Sequence, residues 1–205
     1  FTDYAELWRW STADLPGSTY VGPDEIPYRT CKGRPFSAQR YAGTKRFPCV
    51  SARYQPRQPV VLPDNRNVKK PAWLNQVTRY HNRGNISFDS CSSACFEQGD
   101  FFGLDDLFTE QPRVVDGLAD VYADWIRTYK VDGFRIDTAR HVDREFFGAW
   151  VPKIRAAARS AGVRDFELFG EVFDDDSTVV APFVTERGLP NVLDFPFQSV
   201  AAAYA

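Results

Sequence analysis

Val131-Asp-Gly-Phe-Arg-Ile-Asp-Thr-Ala-Arg-His141 and Leu168-Phe-Gly-Glu-Val-Phe173 each read as a short strand that ends by presenting a carboxylate, Asp137 in the first and Glu171 in the second. The first stretch alternates, so Phe134 and Ile136 face one side while Arg135 and Asp137 face the other. Helical patterns flank it. Pro112 to Lys130 carries apolar residues at Val114, Val115, Leu118, Val121, Tyr122, Trp125, Ile126 and Tyr129, close to one per helical turn on a single face. Thr109 is the expected N-cap of that helix, with Pro112 in its first turn. Asp143 to Ala161 repeats the pattern through Phe146, Phe147, Trp150, Ile154, Ala157 and Ala158, and Gly162 supplies a stop. Pro152 inside that run is expected to kink or divide the helix.

A third strand is expected at Asn191-Val-Leu-Asp-Phe-Pro196, with a helix beginning only near Ala205. The order of helix, strand, helix, strand and strand is an α/β rhythm with a parallel sheet. Arg135 and Asp137 would then point into a sheet or barrel interior, a costly place for charge that needs a purpose. Two acids at the ends of successive strands are what cleavage of a sugar bond by double displacement requires.

Those residues resemble the strand motifs of glycoside hydrolase family 13, the alpha-amylase family. Gly133-Phe-Arg-Ile-Asp-Thr-Ala-Arg-His141 is similar to its fourth-strand motif and Phe169-Gly-Glu-Val172 to its fifth. Leu104-Asp-Asp-Leu107 resembles the family's Leu-Pro-Asp-Leu signature, with Asp105 in place of the proline, and Asn191 to Pro196 its sixth-strand segment. The resemblance covers Tyr80 to Ala205 well and Phe1 to Arg79 by position. It implies a partial (β/α)8 TIM barrel with an irregular domain B insertion, the insertion at 1–79 and the central barrel at 80–205. By position, Asp137 is then the nucleophile and Glu171 the general acid/base of a retaining glycosidase. A retaining pair sits about 5–5.5 Å apart. Arg135 is expected to hydrogen-bond Asp137 and keep it ionised, while its surroundings keep Glu171 protonated. Arg140 and His141 fall where the family contacts the sugar on the leaving-group side. Asp106 and the backbone carbonyl of His141 match ligands of a structural calcium ion, a cation that takes oxygen donors of this kind.

The implied substrate is an alpha-glucan oligo- or polysaccharide, cleaved at internal alpha-1,4 bonds. An alpha-1,6 debranching enzyme or a transglycosylase would share the same motifs, and a non-catalytic glycan-binding relative is the alternative of another class. No Asp-x-x-x-x-Asn-His segment and no seventh-strand His-Asp pair occur in the sequence. The chain therefore reads as part of a longer reading frame, expected to be inactive and poorly stable alone.

Among other candidates, His81 reads equally as a loop hydrogen-bonder or a substrate contact. Glu167 and the run Asp174-Asp175-Asp176 read as exposed edges and loops. Trp73, Phe101, Phe102 and Phe173 could stack on sugar rings, though most aromatics serve as core.

Phe1 to about Asn75 is punctuated by nine prolines between Pro16 and Pro71, which favours short strands and loops over helices. Cys31, Cys49, Cys91 and Cys95 lie in this half and its junction. An even number in loop-rich surroundings indicates disulfides and an extracellular or periplasmic setting. Cys31 with Cys49 and Cys91 with Cys95 are the favoured pairs of three possible connectivities. Zinc is disfavoured because Cys91-x3-Cys95 lacks a second half nearby. Hydrophobic content of 43% and charge of 25% are ordinary for a globular protein. A net charge of −2 gives no reason to expect nucleic acid as a partner. No run approaches the roughly 18 apolar residues of a membrane span.

Overall fold

The computed structural model describes residues 19–53, 56–57, 61, 63–101 and 104–204. The chain divides into two compact units, Phe1–Val114 and Val115–Ala205.

In the first unit, strands β1 (Tyr28–Arg29) and β2 (Pro35–Phe36) pair antiparallel. The rest is built from isolated bridges and single 3-10 turns, as its prolines lead one to expect. Tyr28, Ala38, Val50 and Phe108 form its core, with Phe36 and Phe47 packed against them. The Tyr28 and Phe47 rings approach Phe108 at centroid distances of 4.6 and 5.4 Å. Two disulfides, Cys31–Cys49 and Cys91–Cys95, staple this unit in the favoured pairing. Helix α1 (Ser93–Gln98) starts where Ser92 Oγ accepts the amide of Cys95. The unit reaches past residue 79 because Arg83, fully buried, donates to Tyr28 Oη at 2.7 Å and to the carbonyls of Val21 and Ile26.

Helix α2 (Pro112–Tyr129) leads into the second unit, whose boundary falls in its first turn. It begins at Pro112, so Gln111 and not Thr109 holds the N-cap position. Proline suits the first helical residue because the amide it lacks would have no partner there. Strand β3 (Gly133–Ile136) follows, shorter than the expected Val131 to Asp137. Helix α3 (Phe146–Ser160) runs unbroken through Pro152. It ends in a Schellman closure: Gly162, at φ +83°, donates to Arg159 and Val163 donates to Ala158.

Strand β4 (Glu167–Gly170) lies parallel to β3 in the register Phe134 to Leu168 and Ile136 to Gly170. Beyond it come α4 (Ser177–Thr185) and α5 (Phe195–Ala203). The expected third strand shrinks to one parallel bridge, Gly170 with Val192. Asp194 ends it by capping α5 through the amide of Phe197 at 3.0 Å, and Pro196 lies in the first turn. That helix thus starts ten residues before the expected point. The two sides of the sheet differ: Ile136, Leu168 and Gly170 are buried, whereas Arg135 and Glu167 are exposed.

Candidate active site

Asp137 and Glu171 are brought together by backbone as well as by strand pairing. The amide of Glu171 donates to the carbonyl of Ile136 at 2.8 Å, and the amide of Ala139 donates to the carbonyl of Glu171 at 2.9 Å. The Glu171 peptide is therefore clasped on both sides of Asp137. Thr138 makes this possible by adopting the left-handed region at φ 49° and ψ 37°, a conformation that a β-branched residue rarely takes. Just before Glu171, Gly170 is packed so closely that a Cβ would lie 2.6 Å from Leu189 Cδ1 and 3.1 Å from Ala139 Cβ. Only glycine fits there without displacing the strand end.

The carboxyls of Asp137 and Glu171 share a hydrogen bond. That bond holds Asp137 below the ordinary aspartate range, with Arg135 adding to the effect. The same bond pushes Glu171 up, burial adds to the rise, and Arg135 opposes it. Two like charges this close do not both ionise cheaply, so Asp137 gives up its proton first and Glu171 last. Arg135 Nη2 lies 2.9 Å from Glu171 Oε1 but 4.0 Å from Asp137 Oδ1. The expectation that Arg135 chiefly bonds Asp137 is corrected: its near partner is Glu171, and Asp137 is held down first by Glu171. Nor are these groups enclosed. Asp137 is 71% exposed and Arg135 48%, because their side of the β3–β4 pair is open among the described residues.

Arg140 and His141 sit in the 3-10 turn after Thr138. Arg140 Nη1 pairs with Asp174 Oδ2 at 2.9 Å and donates to the carbonyl of Phe173 at 3.0 Å. Asp174, read from sequence as an exposed loop residue, is thus part of the surroundings of the site. Its position three residues after Glu171 was the only signal of this, and no pattern in the sequence pointed to its partner. Asp176 caps α4 by accepting the amide of Thr178, and Asp175 accepts from Ser199 Oγ at 2.6 Å. Phe173 is exposed, with its ring edge against Phe195. Trp73 is core, and Phe101 packs edge-on against Phe88. Phe102 lies outside the described residues.

His81 resolves as a hydrogen-bonder of the first unit. It is fully buried, with Nδ1 2.7 Å from Asp106 Oδ2 and Nε2 2.7 Å from Glu110 Oε2. Burial lowers His81, pushes Asp106 up to about 7 and pushes Glu110 up to about 8. A neutral imidazole has one donor nitrogen, and its acceptor nitrogen then needs a protonated carboxyl, which the raised acids supply.

Among the described residues no group of three or more His, Cys, Asp or Glu is arranged to hold a metal ion. Asp106 nevertheless suits a hard cation, since its Oδ1 is buried without a hydrogen-bond partner among the described residues. Asp106 belongs to the first unit and His141 to the second. No helix among the described residues is long and apolar enough to cross a membrane.

A family model of the alpha-amylase catalytic domain matches residues 54–205. An alpha-amylase of Streptomyces lividans is 46% identical over 187 residues, covering 91% of this chain and 20% of that protein. One from Saccharomycopsis fibuligera is 32% identical, over 60% of this chain and 23% of its own length. The chain thus spans about a fifth of the length of these relatives. Among solved structures, an Anoxybacillus alpha-amylase superposes with a TM-score of 0.56 at 33% identity, over 66% of this chain and 29% of that one. An alpha-amylase of Geobacillus thermoleovorans, complexed with acarbose, superposes with a TM-score of 0.54 at 29% identity, over 64% and 28%. A family model over residues 54–205, together with these similarities, places the chain in the alpha-amylase family as part of its (β/α)8 barrel.

Proposed function

We propose that this chain carries the nucleophile and the acid/base of a retaining hydrolase of alpha-glucans. The observation that carries the reading is the carboxyl pair itself: two acids at adjacent parallel strand ends, shifted in opposite directions by each other, with Arg135 2.9 Å from Glu171. In the first step Asp137 attacks the anomeric carbon, and the bond from that carbon to the leaving oxygen breaks. Glu171 gives its proton to that oxygen. In the second step Glu171, now a carboxylate, takes a proton from water, and the water oxygen displaces Asp137 from the same carbon. Arg135 serves both steps, because the anion that forms on Glu171 appears 2.9 Å from its guanidinium.

Arg140 and His141, following the nucleophile on the same loop, are placed to meet the sugar on the leaving-group side. Residues 1–79 then correspond to the irregular domain B insertion. Calcium is the implied ion: Asp106 Oδ1 would supply an oxygen to it, and the ion would hold Asp106 ionised. Two disulfides suit an extracellular or periplasmic setting.

The test is the full-length protein on amylose and on pullulan, with the anomeric form of the first product followed by NMR. Release of the α-anomer from amylose is expected, together with a covalent glycosyl label on the peptide containing Asp137 after trapping with a 5-fluoro glycosyl fluoride. A β-anomer, or a label on another residue, overturns the assignment. Cleavage of pullulan alone would move the preference to alpha-1,6 bonds.

A further inference from the structure

Glu171 is clasped on its upstream side by the Ile136 and Ala139 backbone bonds, and the chain then leaves β4 through Phe173 and Asp174. What ties this downstream segment back to the loop after β3 is a single guanidinium. Arg140 Nη1 contacts both Asp174 Oδ2, at 2.9 Å, and the Phe173 carbonyl, at 3.0 Å. The pair is far from an ordinary surface contact. Arg140 is 23% exposed and Asp174 19%, against 55% and 75% for the Arg127–Asp124 pair on α2. A pair sheltered in this way is screened less by solvent and salt. The other oxygen of Asp174 accepts the amide of Asp176 at 2.8 Å, and Asp176 caps α4. One carboxylate therefore joins the β3 loop, the β4 loop and the start of the next helix.

Resting on the reading of Glu171 as general acid/base, we propose that Asp174 is a positioning residue for it. Through Arg140 it pins the segment after Glu171 to the segment after Asp137, and so fixes the direction in which the Glu171 proton is delivered. Without the pair, the β4 loop keeps its backbone clasp at Glu171 but loses its anchor three residues later. The carboxyl can then swing away from the leaving oxygen. Misplacement of a catalytic group by about 1 Å can cost about a hundredfold in rate. The cost falls on proton delivery and spares nucleophilic attack, because Asp137 sits on the other strand.

That asymmetry gives the experiment. In the full-length protein, Asp174→Asn is compared with the unaltered enzyme on a maltooligosaccharide, whose leaving alcohol needs a proton, and on an α-maltosyl fluoride, whose fluoride leaves with little acid assistance. The expected result is a loss of about tenfold to a hundredfold in kcat/KM on the oligosaccharide, with KM within about threefold, and a loss of less than about threefold in kcat/KM on the fluoride, since kcat/KM reports the glycosylation step and leaves out the base role of Glu171 in the second. Asp174→Glu, which keeps the charge, should recover most of the oligosaccharide rate. Equal losses on both substrates would show a merely structural role and overturn the proposal, as would no loss on either. Asp174→Ser removes the same pair by a different replacement and must discriminate between the substrates in the same sense, which keeps the test decisive if Asp174→Asn fails to fold. Glu171→Gln separates the two readings: if it lowers kcat/KM equally on both substrates, the acid/base assignment fails, whatever Asp174→Asn does.

Discussion

In the first unit, Asp106 and Glu110 lie fully buried against the two nitrogens of His81; in the second, Asp137 and Glu171 stand at open strand ends beside Arg135. Both sets of acids titrate away from their ordinary values, for different reasons. Burial dominates in the first and drives every member toward its neutral form. In the second, a shared hydrogen bond dominates and drives the two acids apart, Asp137 down and Glu171 up. The larger displacement belongs to the buried set, which no sugar can reach. In the first unit the displacement accompanies a closed hydrogen-bond network, whereas the split between the two accessible acids is what the proposed division between proton donor and nucleophile would use.

The strongest way to break this comparison is to remove one acid of the open pair. Asp137→Asn in the full-length protein should lower amylose hydrolysis on the order of 10⁴-fold or more while leaving the melting temperature close to that of the unaltered protein. Asparagine keeps the shape of the side chain and removes only its charge. Retention of more than a few percent of the turnover would remove Asp137 from the chemistry.

The buried set should answer in stability. His81→Ala leaves Asp106 Oδ2 and Glu110 Oε2 facing a void where each had a partner at 2.7 Å. Breaking a buried network of this kind costs about 3–5 kcal/mol, to be read by denaturant unfolding. A loss below about 1 kcal/mol would mean that water reaches the cluster and that its acids are not held by burial.

The two regions also differ in how far the sequence revealed them. Strand alternation and the Asp137 and Glu171 carboxylates were legible because a strand has a period of two and each motif is local. Their closeness was not, since it depends on Thr138 taking a left-handed turn and on Gly170 admitting Leu189. Arg135 lies two residues from Asp137, which made Asp137 its natural partner on paper. The parallel register instead brings Glu171 nearer. The His81 cluster was invisible for a plainer reason: its contacts span 25 and 29 residues, with no periodic pattern between them. Helix starts were misplaced for two reasons: Pro112 rather than Thr109 set the start of α2, and the Asp194 cap with Pro196 began α5 where a strand was expected.

The disulfides sharpen the picture of the irregular unit. Cys31–Cys49 closes a separation of 18 residues and Cys91–Cys95 one of 4. On chain entropy, replacing the first pair by serine should cost about 3 kcal/mol and the second about 2 kcal/mol. Equal losses, or a larger loss at Cys91–Cys95, would show that local geometry near α1 matters more than loop closure.

The smallest expected effect bears most directly on the open pair. Arg135 lowers both Asp137 and Glu171 through its charge. In the proposed reaction, activity rises as pH climbs through the ionisation of Asp137 and falls as Glu171 loses its proton. The pH profile of kcat/KM is thus a bell whose limbs belong to the pair. Arg135→Gln removes a positive charge that favours both anions, so both acids become weaker and both limbs move to higher pH together. If the acid limb alone moved, Arg135 would act on Asp137 and its 2.9 Å contact with Glu171 would be incidental. If neither limb moved, the carboxyl–carboxyl bond by itself would set the split, and the guanidinium would serve only to receive the anion formed on Glu171.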